Sequence, residues 1–97
     1  MHVVIRTYTA SPDVVQEARP KLADLERTMR GLPGFVAYYF VETADGLATV
    51  TVTEDETGTQ ASMEQAATWV RQNLTQTRAS LTAPAVTQGQ ALIAATR

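Results

Sequence analysis

Few side chains in this sequence can do chemistry, and they fall in three places. Arg6 lies in an alternating N-terminal run, Tyr38 and Tyr39 stand together in a second such run, and Trp69 and Asn73 lie one helical turn apart in a third stretch. A guanidinium on a strand can hold an anion through paired N–H donors. An indole at a helix border can stack on a flat ring, and an amide one turn later can bond a phenol or peroxide oxygen. His2 is the single imidazole and so the one ordinary proton carrier near neutral pH. These types nominate Trp69, Asn73 and His2 as candidate catalytic groups, and Arg6, Tyr38, Tyr39, Trp69 and Asn73 as candidate ligand contacts. Each also has a plain structural use. Trp69 can cover a core edge, Asn73 can sit half-solvated, the tyrosines can pack at an interface, and His2 can close a strand end. Arg6 can pair with Glu42 or Glu54 on neighbouring strands.

Much other chemistry is excluded. The 97 residues contain no cysteine, which rules out disulfides, thiolate nucleophiles and sulfur metal sites. One histidine without cysteine gives no transition-metal set, and Glu54-Asp55-Glu56 lacks the alternating oxygen ligands of a calcium loop, so no metal is expected. No glycine-rich phosphate cradle or nucleophile motif occurs, and no cofactor is expected. A net charge of −2 argues against nucleic acid, which needs a clustered basic surface. No apolar run reaches the roughly 20 residues that cross a bilayer, and Met1-His2-Val3-Val4-Ile5-Arg6 does not read as a signal peptide. With 44% hydrophobic and 19% charged residues, the composition is that of one folded domain over 1–97, expected in the cytoplasm.

The elements that must position these residues follow from periodicity. Val3 to Thr9 alternates as a strand, with Val3 and Ile5 on one face and Val4, Arg6 and Tyr8 on the other. Ser11-Pro12-Asp13 starts a helix whose stripe is Val14, Val15, Ala18, Leu22, Leu25 and Met29. Pro20 falls opposite that stripe and predicts an outward kink without a break. Arg30-Gly31-Leu32-Pro33-Gly34-Phe35 stops the helix, with Gly31 as a left-handed cap, and restarts the chain as a strand over Phe35 to Glu42. Phe35, Ala37, Tyr39 and Val41 alternate with Val36, Tyr38 and Phe40. Asp45-Gly46 turns into a third strand over Leu47 to Glu54, with Ala48, Val50 and Val52 opposite Thr49, Thr51 and Thr53. Thr57 with Gln60 reads as a capping box for a second helix running to about Ser80. Its inner stripe is Met63, Ala66, Ala67, Val70, Leu74 and Thr77. A last strand covers Val86 to Ala95, with a bulge at Gly89.

The order is strand–helix–strand–strand–helix–strand, an α+β ferredoxin-like βαββαβ sandwich. Both faces of the sheet carry apolar sets, and two helices can cover only one. The pattern therefore predicts a homodimer through the sheet face. Which set meets the helices stays open, because both are apolar.

This order, with Leu32-Pro33-Gly34-Phe35-Val36-Ala37-Tyr38-Tyr39 and Trp69-Val70-Arg71-Gln72-Asn73-Leu74, resembles the antibiotic-biosynthesis monooxygenase family of dimeric α+β barrels. The resemblance spans the whole chain. It implies two protomers packed sheet to sheet, each with a ligand pocket between helices and sheet. It also implies a cofactor-independent oxygenase of a flat aromatic phenol or quinol, in which the deprotonated substrate passes an electron to oxygen. Trp69 and Asn73 would then orient the reactants, and Tyr38, Tyr39 or His2 would handle the proton. The alternative is a non-catalytic small-molecule-binding or regulatory module on the same topology.

Overall fold

The computed structural model describes residues 1–97. Strand β1 (His2–Thr9) leads to helix α1 (Pro12–Ala18), a 3₁₀ turn (Arg19–Lys21) and helix α2 (Leu22–Arg30). Strands β2 (Phe35–Thr43) and β3 (Gly46–Thr53) form a hairpin, followed by helix α3 (Glu56–Asn73), a 3₁₀ turn (Arg78–Ser80) and strand β4 (Ala85–Gln90). The sheet has order β2-β3-β1-β4 and every neighbouring pair is antiparallel. This is the ferredoxin-like βαββαβ arrangement expected from the sequence.

Register decides which side chains share a face. Arg6 stands between Thr49 and Val86, Val4 between Thr51 and Gln88, and His2 between Thr53 and Gln90. His2, Val4, Arg6, Thr49, Thr51 and Thr53 are all buried beneath the helices. The threonine ladder is therefore the covered face of β3, and Val50 and Val52 lie on the open face with Val3, Ile5, Tyr39 and Val41. Threonine is β-branched like valine and packs as well on a pleated surface. The main core lies under α1 and α2, where Val14, Val15, Ala18, Leu25 and Met29 meet Leu47, Trp69 and Leu74. Each valine, leucine or methionine among them stabilises the fold by about 1.5–3 kcal/mol on burial.

Several boundaries differ from the sequence reading, each for a local reason. Pro20 does more than kink the first helix: its missing N–H separates α1 from α2 by a 3₁₀ turn. Gly31 has φ −82°, and the left-handed residue is Gly34 at φ +64°. A register shift between Phe35 and Ala37 turns Phe35 to the helix side, opposite Thr53, so it leaves the Ala37–Tyr39–Val41 set. The hairpin turn is Ala44-Asp45, one residue earlier than expected. Asp55, not Thr57, caps α3, its carboxylate accepting from Thr57 N at 3.0 Å. Helix α3 ends at Asn73, well short of Ser80, and β4 ends at Gln90, short of Ala95. Gly89 pairs regularly with Val3 and forms no bulge.

One glycine fixes how closely α3 meets the sheet. A Cβ at Gly58 would stand 2.1 Å from Pro33 O and 2.7 Å from the Thr53 side chain. Only hydrogen fits there, so the first turn of α3 rests against β3 and the loop before β2. Gly58→Ala is expected to destabilise the protein by about 2–3 kcal/mol, lowering Tm by about 10 °C or more. Gly89→Ala, where nothing lies within 4 Å, is the matched control and should leave Tm nearly unchanged. Thermal unfolding followed by circular dichroism checks both.

Candidate functional site

Helix α3 packs over β3 and β1 and leaves the helix side of β4 bare, so Val86, Gln88 and Gln90 are exposed. The gap between α3 and the segment entering β4 is a cleft of about 360 Å³. Arg6 and Tyr8 of β1 line it, as do Met63, Ala66, Ala67, Val70 and Arg71 of α3, and Leu81, Pro84 and Val86 on the far side. The apolar stripe read on this helix thus faces an open cleft more than the core: Met63 and Ala67 are exposed. The side turned to the sheet is Gly58, Thr59, Ser62 and Trp69, three small residues and one large.

Arg6 is the unusual member. It is 3% exposed, and one of its terminal nitrogens donates to Ser62 Oγ at 3.0 Å. Ser62 in turn donates its proton to Thr59 O at 2.5 Å, which fixes its lone pairs toward the guanidinium. Glu42, one expected partner of Arg6, pairs instead with Arg19 at 3.0 Å. Glu54, the other, makes no ion pair: the three in the protein are Arg19–Glu42, Arg27–Asp24 and Arg30–Glu26. No acidic residue lines the cleft. Tyr8 follows two residues later on the same face. Burial pushes its phenol pKa up, and the nearby Arg6 charge partly offsets this. Tyr38 is pushed up further by burial and by Tyr8, again with Arg6 opposing.

The other sequence candidates are dispersed. Trp69 is 5% exposed, belongs to the core and does not line the cleft. Its ring borders a cavity of about 30 Å³ with Tyr8, Tyr38, Phe40, Leu47 and Thr49, room for one small molecule. The Trp69 Nε1, Thr49 Oγ1 and Thr51 Oγ1 atoms are buried without partners. Asn73 spends its amide on Trp69 O at 2.9 Å, an intrahelical bond that closes the end of α3. His2 lies at the opposite end of α3, with Nδ1 2.6 Å from Thr59 Oγ1. It is four residues along β1 from Arg6, about 13 Å away, and does not line the cleft. Tyr38 faces the helices, whereas Tyr39 is 59% exposed on the open sheet face. A groove of about 440 Å³ along edge strand β2 does touch both tyrosines. Its only charges, Glu26 and Arg30, neutralise each other at 2.9 Å. The structure thus brings Arg6 together with Tyr8, Ser62 and Arg71, which the sequence did not single out. Strand alternation does place Tyr8 on the Arg6 face, though it does not mark it as a site residue. Nothing in a helical serine marks it as a guanidinium partner.

Hydrogen bonds hold the far wall. Glu17 of α1 accepts from Thr77 Oγ1 at 2.6 Å and from the Thr77 and Gln76 amides at 3.0 and 3.2 Å. Thr82 bonds both the N–H and the C=O of Thr9.

An α+β sandwich with an amphipathic cleft beside one helix defines the class of protein. In solved structures the same fold is found in a protein of unknown function from Nitrosomonas europaea (TM-score 0.71, 18% identity, covering 99% of this chain and 92% of that one). It is also found in a protein from Deinococcus radiodurans provisionally named an antibiotic biosynthesis monooxygenase (TM-score 0.69, 15% identity, 100% and 98% covered). A third, provisionally named a monooxygenase, comes from Shewanella loihica PV-4 (TM-score 0.56, 18% identity, 96% and 95% covered). These likenesses establish the fold over the whole chain. No protein-family profile matches the chain, and no curated protein matches it in sequence. No helix is long and apolar enough to cross a membrane.

The Glu17 tether titrates. The Thr77 hydroxyl bond, helped by the two amides, holds its pKa below the usual 4.5. A depressed carboxylate anchors fully above the unfolded value and lets go as pH falls through the folded one. In an NMR titration, the Thr77 amide should therefore shift with a midpoint below 4.5. Glu17→Gln should remove that step, and a midpoint above 4.5 would show that the tether does not hold.

Proposed function

We propose that the protein binds a flat, mostly apolar aromatic molecule in the cleft between α3 and β4 and acts on it as a cofactor-independent oxygenase of a phenol or quinol. The observation that carries this reading is the cleft itself: apolar walls, a size suited to a fused-ring molecule, and one buried cation, Arg6, on its floor. A cation there favours the ionised form of a bound phenol or enol. That anion is the reductant the reaction needs. It passes one electron to dioxygen, and the resulting radical pair joins into a C–O bond. The hydroperoxide then loses its C–H proton and expels hydroxide, which leaves as water. The net change is CH₂ plus O₂ to C=O plus H₂O. The small cavity beside Trp69 shares Tyr8, Ala66, Val70 and Leu81 with the cleft wall and is of a size to hold dioxygen. Tyr8, a neutral phenol held by burial, is the proton donor to the departing oxygen. Trp69 acts here through the shape of that cavity.

We further infer that the protein is a homodimer through the open sheet face. Val3, Ile5, Val41, Val50 and Val52 lie together there with no covering element, an apolar patch of the kind that marks a protein interface.

Oxygen uptake with anthrones and naphthoquinols tests the chemistry. Wild type should turn over at least one, Ala67→Trp should block it by filling the cleft from an exposed position, and Tyr8→Phe should lower kcat by about a hundredfold. Absence of turnover across the panel would contradict the oxygenase reading and favour a non-catalytic binding module. In sedimentation, wild type should run at twice the 10.5 kDa chain mass, and Val50→Glu should shift it toward the monomer.

A further inference from the structure

The buried guanidinium narrows the ligand further. Arg6 has five N–H donors, of which one terminal nitrogen meets a neutral serine hydroxyl. No carboxylate lies within ion-pair distance of it, and the three arginines that have one, Arg19, Arg27 and Arg30, are exposed on the first helical segment. An unpaired buried charge is among the more destabilising features a small domain can carry. A well-packed apolar residue would serve the fold better at this position, between Thr49 and Val86. A second guanidinium, Arg71, stands at the exposed mouth of the same cleft, bonded only to Thr68 Oγ1 at 3.2 Å. Two cations, no acid and an apolar wall between them describe a receptor for an amphipathic anion. Planar paired donors match a carboxylate better than a single oxygen.

We propose that the ligand of this cleft carries an aromatic carboxylate beside its ionisable hydroxyl, the carboxylate taking a pair of the Arg6 N–H donors that Ser62 and the ionised oxygen leave free, and its rings lying along Met63 and Val70. The proposal rests on the reading of the cleft as a ligand site and adds the charge that the ligand must bring. Arg6 is the specificity-determining residue, and Arg71 draws the anion to the mouth.

Binding, not turnover, tests it. The probes are 2-naphthoate and its neutral analogue 2-naphthylmethanol, titrated into the whole protein at pH 7 and mapped by NMR. Wild type should bind the acid about tenfold or more tightly than the alcohol, with shifts at Arg6 Nε, Met63 and Val70. Arg6→Met, which keeps the volume and removes the charge, should equalise the two, while Arg6→Lys should keep part of the preference. Should Arg6→Met fail to fold, the wild-type acid-to-alcohol ratio and the Arg6 Nε shift decide the matter alone. Equal binding of both probes in the cleft would overturn the carboxylate assignment and leave the cleft standing. Binding of neither, or binding only in the groove along β2, would overturn both.

Discussion

Helices α1, α2 and α3 cover one face of a four-stranded sheet, and the face they cover is the more polar of the two. Beneath them lie His2, Arg6, Thr49, Thr51 and Thr53, while the uncovered side presents Val3, Ile5, Val41, Val50 and Val52. The hydrophobic effect alone would invert this choice. The arrangement makes sense when each face has a second task. Under the proposed assembly the open face is apolar for a second copy to cover, and under the proposed function the covered face is polar where it lines the cleft.

Everything peculiar about α3 follows from that floor. The helix turns Gly58, Thr59 and Ser62 toward the sheet, where small side chains allow close approach and supply hydroxyl groups for His2 and Arg6. It enters the main core with α1 and α2 at Trp69, with Ala61, Ala66 and Val70 packed against that core and Leu74 just past its end within it. The N-terminal half of α3 is thus held by fit and hydrogen bonds, and its C-terminal half by apolar burial. Its Met63–Ala67–Val70 side is left for the cleft. Glu17 and Thr82 pin the chain that forms the opposite wall, so the cleft is bounded on both sides by anchored elements.

The element order, both strand alternations and the surplus sheet face were legible in the sequence, because period-2 and period-3.6 patterns survive in β1, β3 and α1–α2. Which face is inside was not legible, since valine and threonine are nearly equal in shape and both suit strands. The rotation of α3 was misread for a related reason. Its inward side is made of glycine, threonine and serine, which no hydrophobic stripe reveals, and its visible stripe faces a cleft. Arg6 was legible as a buried cation needing a partner. It lacks a carboxylate because Glu42 stands on edge strand β2, with β3 between it and β1, a strand order that only the folded chain defines. The pairing of Trp69 with Asn73 was real in space but serves the end of a helix.

The face assignment is the claim on which assembly and site both rest, and methyl NMR reads it directly. In a mixed sample, half the protomers would carry labelled isoleucine and valine methyl groups and half would be unlabelled. The account predicts intermolecular Overhauser contacts at the Ile5, Val50 and Val52 methyls and none at Val14 or Val15. Solvent-exposed Val50 and Val52 methyls without intermolecular contacts would contradict it, as would intermolecular contacts centred on the helices.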